Sequence, residues 1–235
     1  MIRVEGLTVA YGAVKALVNV SFEARTSAIT AVLGANGAGK TTLLRTISGL
    51  KAPLAGTITR DGTDLTAMKT EDIARLGIAH VPEGRGVIGA FTVEENLRLG
   101  ALMAKVDAKQ SLASQYERFP ILGERRRQHA DQLSGGERQI LSMARALIAK
   151  PSILLLDEPS LGLAPLVTAQ IMATIQELCA SESLTVLLVE QNASSALRIA
   201  DHAVVLNVGH VVANDTAQVV ASDEKLRQYY LGMVR

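Results

Sequence analysis

The stretch "GANGAGKT" at residues 34–41 constrains the fold of this chain more than any other feature. It fits the pattern G-x-x-x-x-G-K-[ST] and directly follows the apolar run "AITAVL". That combination predicts a buried strand, a glycine loop and a helix that opens at Lys40. Glycines let backbone N–H groups turn inward around phosphate oxygens, and a helix N-terminus adds the positive end of its dipole. We therefore predict a nucleotide phosphate site rather than a chance glycine turn. Its residues are Gly34, Ala35, Asn36, Gly37, Ala38, Gly39, Lys40, Thr41 and Thr42.

A second apolar run, "ILLLD" at 153–157, ends in Asp157 and is followed at once by Glu158. Beside a phosphate loop, an apolar strand ending in acid predicts that Asp157 and the Thr41 hydroxyl hold Mg²⁺. Lys40 would reach the β and γ phosphates, and Glu158 would take a proton from an attacking water. The alternative is that both carboxylates are solvated charges at a strand end. The pattern favours a nucleoside triphosphatase.

A further glycine-rich helix start, "LSGGE", lies at 133–137. Ser134 is predicted to be the N-cap, and Glu137 three residues later completes a capping box. Gly135 and Gly136 would let the backbone approach a phosphate closely. One nucleotide has a single terminal phosphate, which the first loop already surrounds. We therefore expect this second start to face a nucleotide held by another subunit.

The distribution of apolar residues predicts an α/β fold with a mixed central sheet. The first quarter alternates as antiparallel strands do, in "IRVEGLTVAY", "VNVSFEA" and "TITRDG", and "TVLLVE" at 185–190 predicts another buried strand. A hairpin is expected to turn at Asn207–Gly209. Residues 85–150 have helical periodicity, with a capping box from Thr92 to Glu95. We predict one domain over 1–235: a core lobe from 1–84 and 151–235, with an N-terminal antiparallel β part, and an inserted helical lobe at 85–150.

Composition excludes several function classes. A net charge of +1, 3% aromatic residues and no tryptophan argue against a nucleic-acid partner. The run "RRR" at 125–127 is interpreted as a solvated helical face. The single cysteine, Cys179, excludes an internal disulfide framework and a cysteine-based zinc site. The N-terminus lacks the apolar core of a signal peptide, and no apolar run approaches about 18 residues, so a membrane role is expected to require a partner.

The segments "GANGAGKTT", "LSGGERQ" and "ILLLDEPS", in this order and spacing, resemble the ATP-binding subunits of ABC transporters over essentially the whole chain. The resemblance implies two subunits paired head to tail around two ATP molecules and Mg²⁺. Each site would take its phosphate loop from one subunit and Ser134, Gly135, Gly136 and Glu137 from the other. It also implies that Tyr11 stacks on adenine. Residues 160–164, "SLGLA", would touch the opposite subunit, although Leu163 stands where many relatives have Asp.

Two further positions depart from the pattern of that family. Glu83 stands where most members have Gln, and its oxygen can still ligate Mg²⁺. Gln191 stands where most members have a His, and an amide can hydrogen-bond a γ phosphate without exchanging protons as imidazole does. These departures favour Glu158 as the base, with Gln191 only orienting and sensing; a slow or regulated site is the alternative. All four histidines are interpreted as structural or surface residues.

The segments "VPEGRGVIGAFTVEENL", "EPSLGLAP", "VEQNASSALRIAD" and "YYLGM" resemble the LivF-type ATPases of branched-chain amino acid importers. The implied partners are two transmembrane permease subunits, a second related ATPase or a copy of this chain, and, indirectly, a periplasmic solute-binding protein. The resemblance also implies that the chain lies at the cytoplasmic face of the inner membrane, bound through the permease subunits. Amides, short peptides or urea remain open as substrates. The rivals are an exporter subunit, a soluble ABC ATPase acting on ribosomes or DNA, and a P-loop kinase or GTPase, which would need no "LSGGE".

Overall fold

A computed structural model describes residues 1–84, 86–104 and 107–229 of the chain. The segment "YYLGM" therefore lies outside the described residues, apart from its first tyrosine. The strands are β1 Ile2–Tyr11, β2 Val14–Ala24, β3 Ile29–Leu33, β4 Ala55–Arg60, β5 Thr63–Asp64, β6 Ile78–Val81, β7 Ile153–Asp157, β8 Thr185–Glu190, β9 His202–Asn207 and β10 His210–Thr216. The α-helices are α1 Lys40–Ile47, α2 Thr70–Arg75, α3 Val93–Ala104, α4 Ala108–Arg118, α5 Pro120–Glu124, α6 Gly135–Leu147, α7 Pro165–Glu182, α8 Ala193–Ile199, α9 Ala217–Ser222 and α10 Glu224–Tyr229. A 3₁₀ turn covers Ala130–Gln132.

The smaller sheet is antiparallel throughout, in the order β2-β1-β4-β5. Three of its strands, β1, β2 and β4, are predicted by the alternating pattern of the first quarter, and the two-residue strand β5 is not. Along β1 the apolar side chains of Ile2, Val4, Leu7 and Val9 are buried, while Arg3 and Glu5 are exposed. Each half of β1 has the covered face and the solvated face that period-2 alternation encodes, and the alternation changes phase between Val4 and Leu7, where the pairing with β2 shifts.

The larger sheet is mixed, in the order β10-β9-β3-β8-β7-β6. The strands β9, β3, β8, β7 and β6 run parallel, and β10 pairs antiparallel with β9 in the predicted hairpin. Every residue of β3, β7 and β8 is buried, which explains their unbroken apolar runs. Because these three strands are parallel neighbours, their carboxyl ends lie at one edge of the sheet. That edge carries Gly34, Asp157 and Glu190.

Apolar clusters cover both faces of the larger sheet. Along β7, Leu154 and Leu156 face one cluster, and Ile153 and Leu155 face the other. The first cluster continues into α3 and α6, which lie between β6 and β7 in the chain, and the second fills the space towards α1 and the smaller sheet. Within the part of the chain that the structure describes, no helix combines the length and apolarity needed to cross a bilayer.

His80 on β6 is a partly buried histidine, and its burial makes the stability of the fold depend on pH. Its Nδ1 lies 3.1 Å from the Ser48 hydroxyl, and Nε2 is buried without a partner. Burial, with a smaller contribution from Arg45, lowers the pKa of His80 from 6.5 to about 4. Between those pH values the unfolded chain binds a proton at this residue that the folded chain does not, so the stability of the fold decreases as the pH falls.

We expect His80→Asn to remove a stability slope of about 1.4 kcal/mol per pH unit between pH 6.5 and pH 4. Chemical denaturation at a series of pH values measures it. The exposed His210 supplies the control, His210→Asn, which should keep the wild-type slope. Equal slopes for wild type and His80→Asn would contradict the prediction.

Candidate functional site

The loop from Gly34 to Gly39 connects β3 to α1, and its backbone passes close to other segments of the same chain. A Cβ added at Gly34 would lie 2.2 Å from the Leu206 carbonyl oxygen. One at Gly39, whose φ is 107°, would lie 2.6 Å from Leu17 Cδ2. Side chains are therefore excluded at both ends of the loop. Ala35, Asn36 and Gly37 between them are exposed, so their backbone is open to a ligand.

Lys40 is buried inside this loop, with only 3% of its side chain exposed. Its Nζ donates hydrogen bonds to the carbonyl oxygens of Gly34, at 2.8 Å, and Ala35, at 3.2 Å. It also lies 3.1 Å from Oε1 of Glu158. The structure thus brings together two of the three predicted catalytic residues, which are 118 positions apart in the sequence. A buried ammonium with three oxygen neighbours is well suited to exchange one of them for a phosphate oxygen.

Thr41 and Asp157 also meet, because the start of α1 faces the end of β7. The Thr41 hydroxyl donates to Oδ1 of Asp157 at 3.1 Å. Burial raises the pKa of Asp157 to about 6; the hydrogen bond from Thr41 lowers it, and the carboxylates of Glu158 and Glu83 raise it further. Glu83 is exposed in the segment that follows β6. These groups concentrate negative charge and oxygen donors around one point.

That donor set fits Mg²⁺. The ion takes oxygen ligands and usually binds through one or two carboxylates together with substrate phosphates. Among the described residues no group of three or more His, Cys, Asp or Glu could hold a metal ion by itself. The Thr41 hydroxyl and the carboxylates of Asp157 and Glu83 are oxygen ligands of the kind that Mg²⁺ takes.

Glu158 has a strained backbone, with a φ of 47° in the left-handed region. Its N–H donates to the Val189 carbonyl oxygen at 2.9 Å, across from β8. The next residue after β8, Gln191, is exposed and lines a cavity of about 670 Å³ together with Glu158. The end of β8 thus places the predicted sensing amide on the same cavity as the predicted base.

Glu190 is a residue of this region that the sequence interpretation missed. It is 2% exposed, and its Oε1 accepts a hydrogen bond from the backbone N–H of Ser160 at 3.0 Å. Burial raises the pKa of Glu190, while hydrogen bonds from Ser160 and Asn192 lower it and the nearby Glu158 raises it. The sequence does contain a pattern that indicates Glu190, because the apolar run "TVLLVE" ends in an acidic residue, as "ILLLD" does.

The second glycine-rich start has the predicted capping box. The Ser134 hydroxyl accepts from the Glu137 N–H at 3.3 Å, and the Glu137 carboxylate accepts from the Ser134 N–H at 2.8 Å. Burial raises the pKa of Glu137, but these hydrogen bonds and the Arg125 guanidinium outweigh it, so the net shift is downward. Ser134 and Gly135 remain exposed at the start of α6.

The same helix start packs closely on the segment that follows Glu158. A Cβ on Gly136 would lie 2.7 Å from Val167 Cγ1, and one on Gly135 would lie 3.4 Å from Leu163 Cδ2. Leu163 is partly buried against the main apolar cluster. The leucine that replaces the Asp of many relatives therefore packs within its own chain, against the glycine start of α6.

Tyr11 ends β1 with 44% of its surface exposed, and the Lys51 ammonium lies 4.7 Å from its ring centroid. An exposed ring at this position is free to stack on a flat ligand. Its predicted contact with adenine stays a prediction.

Comparisons with known proteins identify the family of this chain. The sequence model of the family described as "ABC transporter" matches residues 17–161, which include the phosphate loop, the "LSGGE" segment and Glu158. The chain belongs to the ABC transporter family. This ABC ATPase is 45% identical over 233 residues to "High-affinity branched-chain amino acid transport ATP-binding protein BraG" of Pseudomonas aeruginosa, covering 99% of this chain and 100% of that protein. It is 38% identical over 235 residues to "Probable branched-chain amino acid transport ATP-binding protein LivF" of Archaeoglobus fulgidus, covering all of both chains.

A solved structure agrees with the fold of this ABC ATPase. The ADP conformation of MJ1267, an ATP-binding cassette of an ABC transporter, matches with a TM-score of 0.85 at 25% identity, covering 97% of each chain. The predicted α/β fold of ABC ATPase type is confirmed, and the chain is an ATPase. Membership of this family rules out the P-loop kinase and GTPase alternatives.

Proposed function

We propose that this ABC ATPase powers the import of branched-chain amino acids through separate permease subunits at the cytoplasmic face of the cell membrane. The observation that carries the proposal is its full-length similarity, at 45% and 38% identity, to two proteins named for branched-chain amino acid transport. A periplasmic solute-binding protein would deliver the substrate to the permeases. The runner-up is an ABC ATPase for another small solute, such as an amide, urea or a short peptide.

Two such ATPases would pair head to tail, with a copy of this chain or a related chain as the second member. The argument rests on Ser134 and Gly135, which lie exposed at a helix N-terminus and have no role in their own phosphate loop. Moving an open–closed equilibrium from 1:99 to 99:1 takes about 5.5 kcal/mol of differential binding. Hydrogen bonds from Ser134 and Gly135 to the partner's nucleotide would form only in the closed pair. They would therefore supply part of that differential binding free energy at each site.

The chemistry of each site would be divided among residues of one chain. Lys40 would neutralise charge on the β and γ phosphates, and Glu158 would accept the proton of the attacking water. Gln191 would orient the γ phosphate through its amide. Thr41, Asp157 and Glu83 would hold Mg²⁺, which when bound neutralises developing charge on the phosphate oxygens.

The permease contact is proposed for the segment Glu83–Leu102. Ile88, Phe91 and Leu102 expose 37%, 40% and 72% of their surfaces there. Exposed apolar side chains that recur along one segment suit a groove for a helix of the permease. The segment follows β6 and includes Glu83, so docking there would be transmitted to the metal ligands.

Ser134→Ala tests the cross-subunit role of the second glycine start. Loss of the N-cap should lower the free energy of unfolding of the isolated chain by about 1 kcal/mol. ATP turnover of the assembled transporter should fall more than tenfold, because the hydroxyl facing the partner's phosphate is also lost. Phosphate release and chemical denaturation measure the two effects.

The matched control is Thr216→Ala, because Thr216 caps α9 by accepting from the Val219 N–H. That variant should lose similar stability and keep wild-type turnover. If Ser134→Ala also keeps wild-type turnover, Ser134 does not serve the partner's nucleotide.

The import function is tested by tagging the chain in its native host, solubilising membranes gently and identifying the co-purifying proteins by mass spectrometry. Two permeases with a sibling ATPase, or with this chain alone, would support the proposal and decide the pairing. Uptake of labelled leucine, isoleucine and valine should then stop in a strain that carries Glu158→Gln. If the variant strain instead loses uptake of urea or an amide, the chain serves a transporter for another small solute. Co-purifying ribosomal proteins would overturn both transport hypotheses.

A further inference from the structure

Glu190 is a buried carboxylate that the chemistry above does not use. Only 2% of the residue is exposed, yet it ends a strand at the edge of the sheet where the nucleotide site lies. Burying a carboxylate is costly unless hydrogen bonds compensate it. Here Oε1 accepts from the backbone N–H of Ser160 at 3.0 Å, and Ser160 is itself buried. The contact joins two segments that are 30 residues apart in the chain.

This contact secures the chain just beyond Glu158. The left-handed backbone of Glu158 is unfavourable for a residue with a side chain, so neighbouring contacts must hold it. One is the hydrogen bond from the Glu158 N–H to the Val189 carbonyl oxygen. The other is the Ser160–Glu190 bond, two residues later. Two consecutive residues of β8 thus hold the turn that carries the predicted base.

Gln191 follows Glu190 directly, so the same carboxylate lies between the base and the sensing amide. Glu158, Ser160, Glu190 and Gln191 are all among the residues that line the cavity of about 670 Å³. Open space therefore lies beside the turn that carries Glu158. The hydrogen bond to Glu190 constrains the backbone that carries Glu158, and the Lys40 ammonium at 3.1 Å constrains its carboxylate.

We propose that Glu190 is a positioning residue. Its carboxylate accepts a hydrogen bond from Ser160 at the end of β8 and so fixes the positions of Glu158 and Gln191 around the γ phosphate. The proposal rests on the assignment of Glu158 as the base. It assigns Glu190 no direct contact with the nucleotide. Loss of the Ser160–Glu190 hydrogen bond should therefore lower the rate of hydrolysis. It should leave the affinity for ATP unchanged, because the phosphate loop determines that affinity.

Two variants and one control test this role. Glu190→Met removes both acceptor oxygens at similar volume, and Glu190→Gln keeps one oxygen that can accept from the Ser160 N–H. Glu177→Met removes a carboxylate from the exposed face of α7 as the control. ATP turnover is measured on the assembly that co-purifies with the chain, and affinity by titrating the isolated chain with a fluorescent ATP analogue.

We expect Glu190→Met to lower kcat by about 10- to 100-fold, as misplacement of a catalytic group does, with the dissociation constant within twofold of wild type. Glu190→Gln should be intermediate, and Glu177→Met should match wild type. A kcat of Glu190→Met within twofold of wild type, or a parallel loss of ATP affinity, would overturn the proposal. If Glu190→Met does not fold, the same criteria apply to Glu190→Gln, for which about a threefold loss of kcat is expected.

A double variant separates this proposal from the assignment of the base. In the Glu158→Gln background, Glu190→Met should lower turnover much less than it does in wild type, because Glu190 acts mainly through Glu158 and only its effect on Gln191 is left to lose. A fall by the same factor as in wild type would show that Glu190 acts independently and would overturn the positioning role. Wild-type turnover in Glu158→Gln alone would instead remove Glu158 from the chemistry, whatever the effect of Glu190.

Discussion

Glu158→Gln is expected to reduce ATP turnover by about 10²- to 10⁴-fold while ATP still binds. The side chain is buried, lies 3.1 Å from the Lys40 ammonium and lines the cavity beside Gln191. Glutamine keeps its size and its hydrogen bond to Lys40 but cannot accept a proton from water. The phosphate loop and its helix are untouched, so the nucleotide should be retained in an unhydrolysed complex.

Two measurements check this result. Phosphate release gives the rate, and size-exclusion chromatography with and without ATP shows whether the variant accumulates as an ATP-bound closed pair. Glu177→Gln, on an exposed face of α7, is the control for the loss of one carboxylate and should behave as wild type. Phosphate release within twofold of wild type, or no ATP-dependent pair in Glu158→Gln, would show that another group is the base.

The strands and the phosphate loop could be predicted because each one is encoded locally. The loop pattern at 34–41 can be recognised within one short segment, although the contacts that exclude a Cβ at its glycines come from Leu206 and Leu17, elsewhere in the chain. The runs "ITAVL" and "ILLLD" are apolar throughout because both faces of those strands are covered. The capping boxes at Thr92 and Ser134 each involve residues only three positions apart.

The remaining contacts depend on which strands become neighbours, and the sequence pattern does not specify that. Glu190 meets Ser160 only because β7 and β8 pair in parallel, and nothing near Ser160 indicates a buried carboxylate partner. Leu163 replaces a polar residue of the family pattern, which left its contact undefined. In the structure it lies against Gly135, 28 positions earlier, because the turn after Glu158 folds back onto the start of α6.

Lys40→Met is expected to weaken ATP binding by about 10- to 100-fold, because the variant loses a charge-assisted hydrogen bond to phosphate. The control is Lys109→Met on the exposed face of α4, which should bind ATP as wild type does. Titration with a fluorescent ATP analogue measures both, and an unchanged dissociation constant for Lys40→Met would contradict the role of Lys40.

The same variant should also destabilise the nucleotide-free chain, because Lys40 and Glu158 form a buried ion pair with side chains 3% and 8% exposed. Removing one partner leaves the other charge buried and uncompensated, whereas removing both charges does not. Lys40→Met should therefore lower the free energy of unfolding by about 3 kcal/mol, and Lys40→Met with Glu158→Gln should recover most of it. Such recovery would show that the ammonium and the base hold each other before ATP arrives. A phosphate that takes the place of Glu158 beside Lys40 would then leave the Glu158 carboxylate available to water.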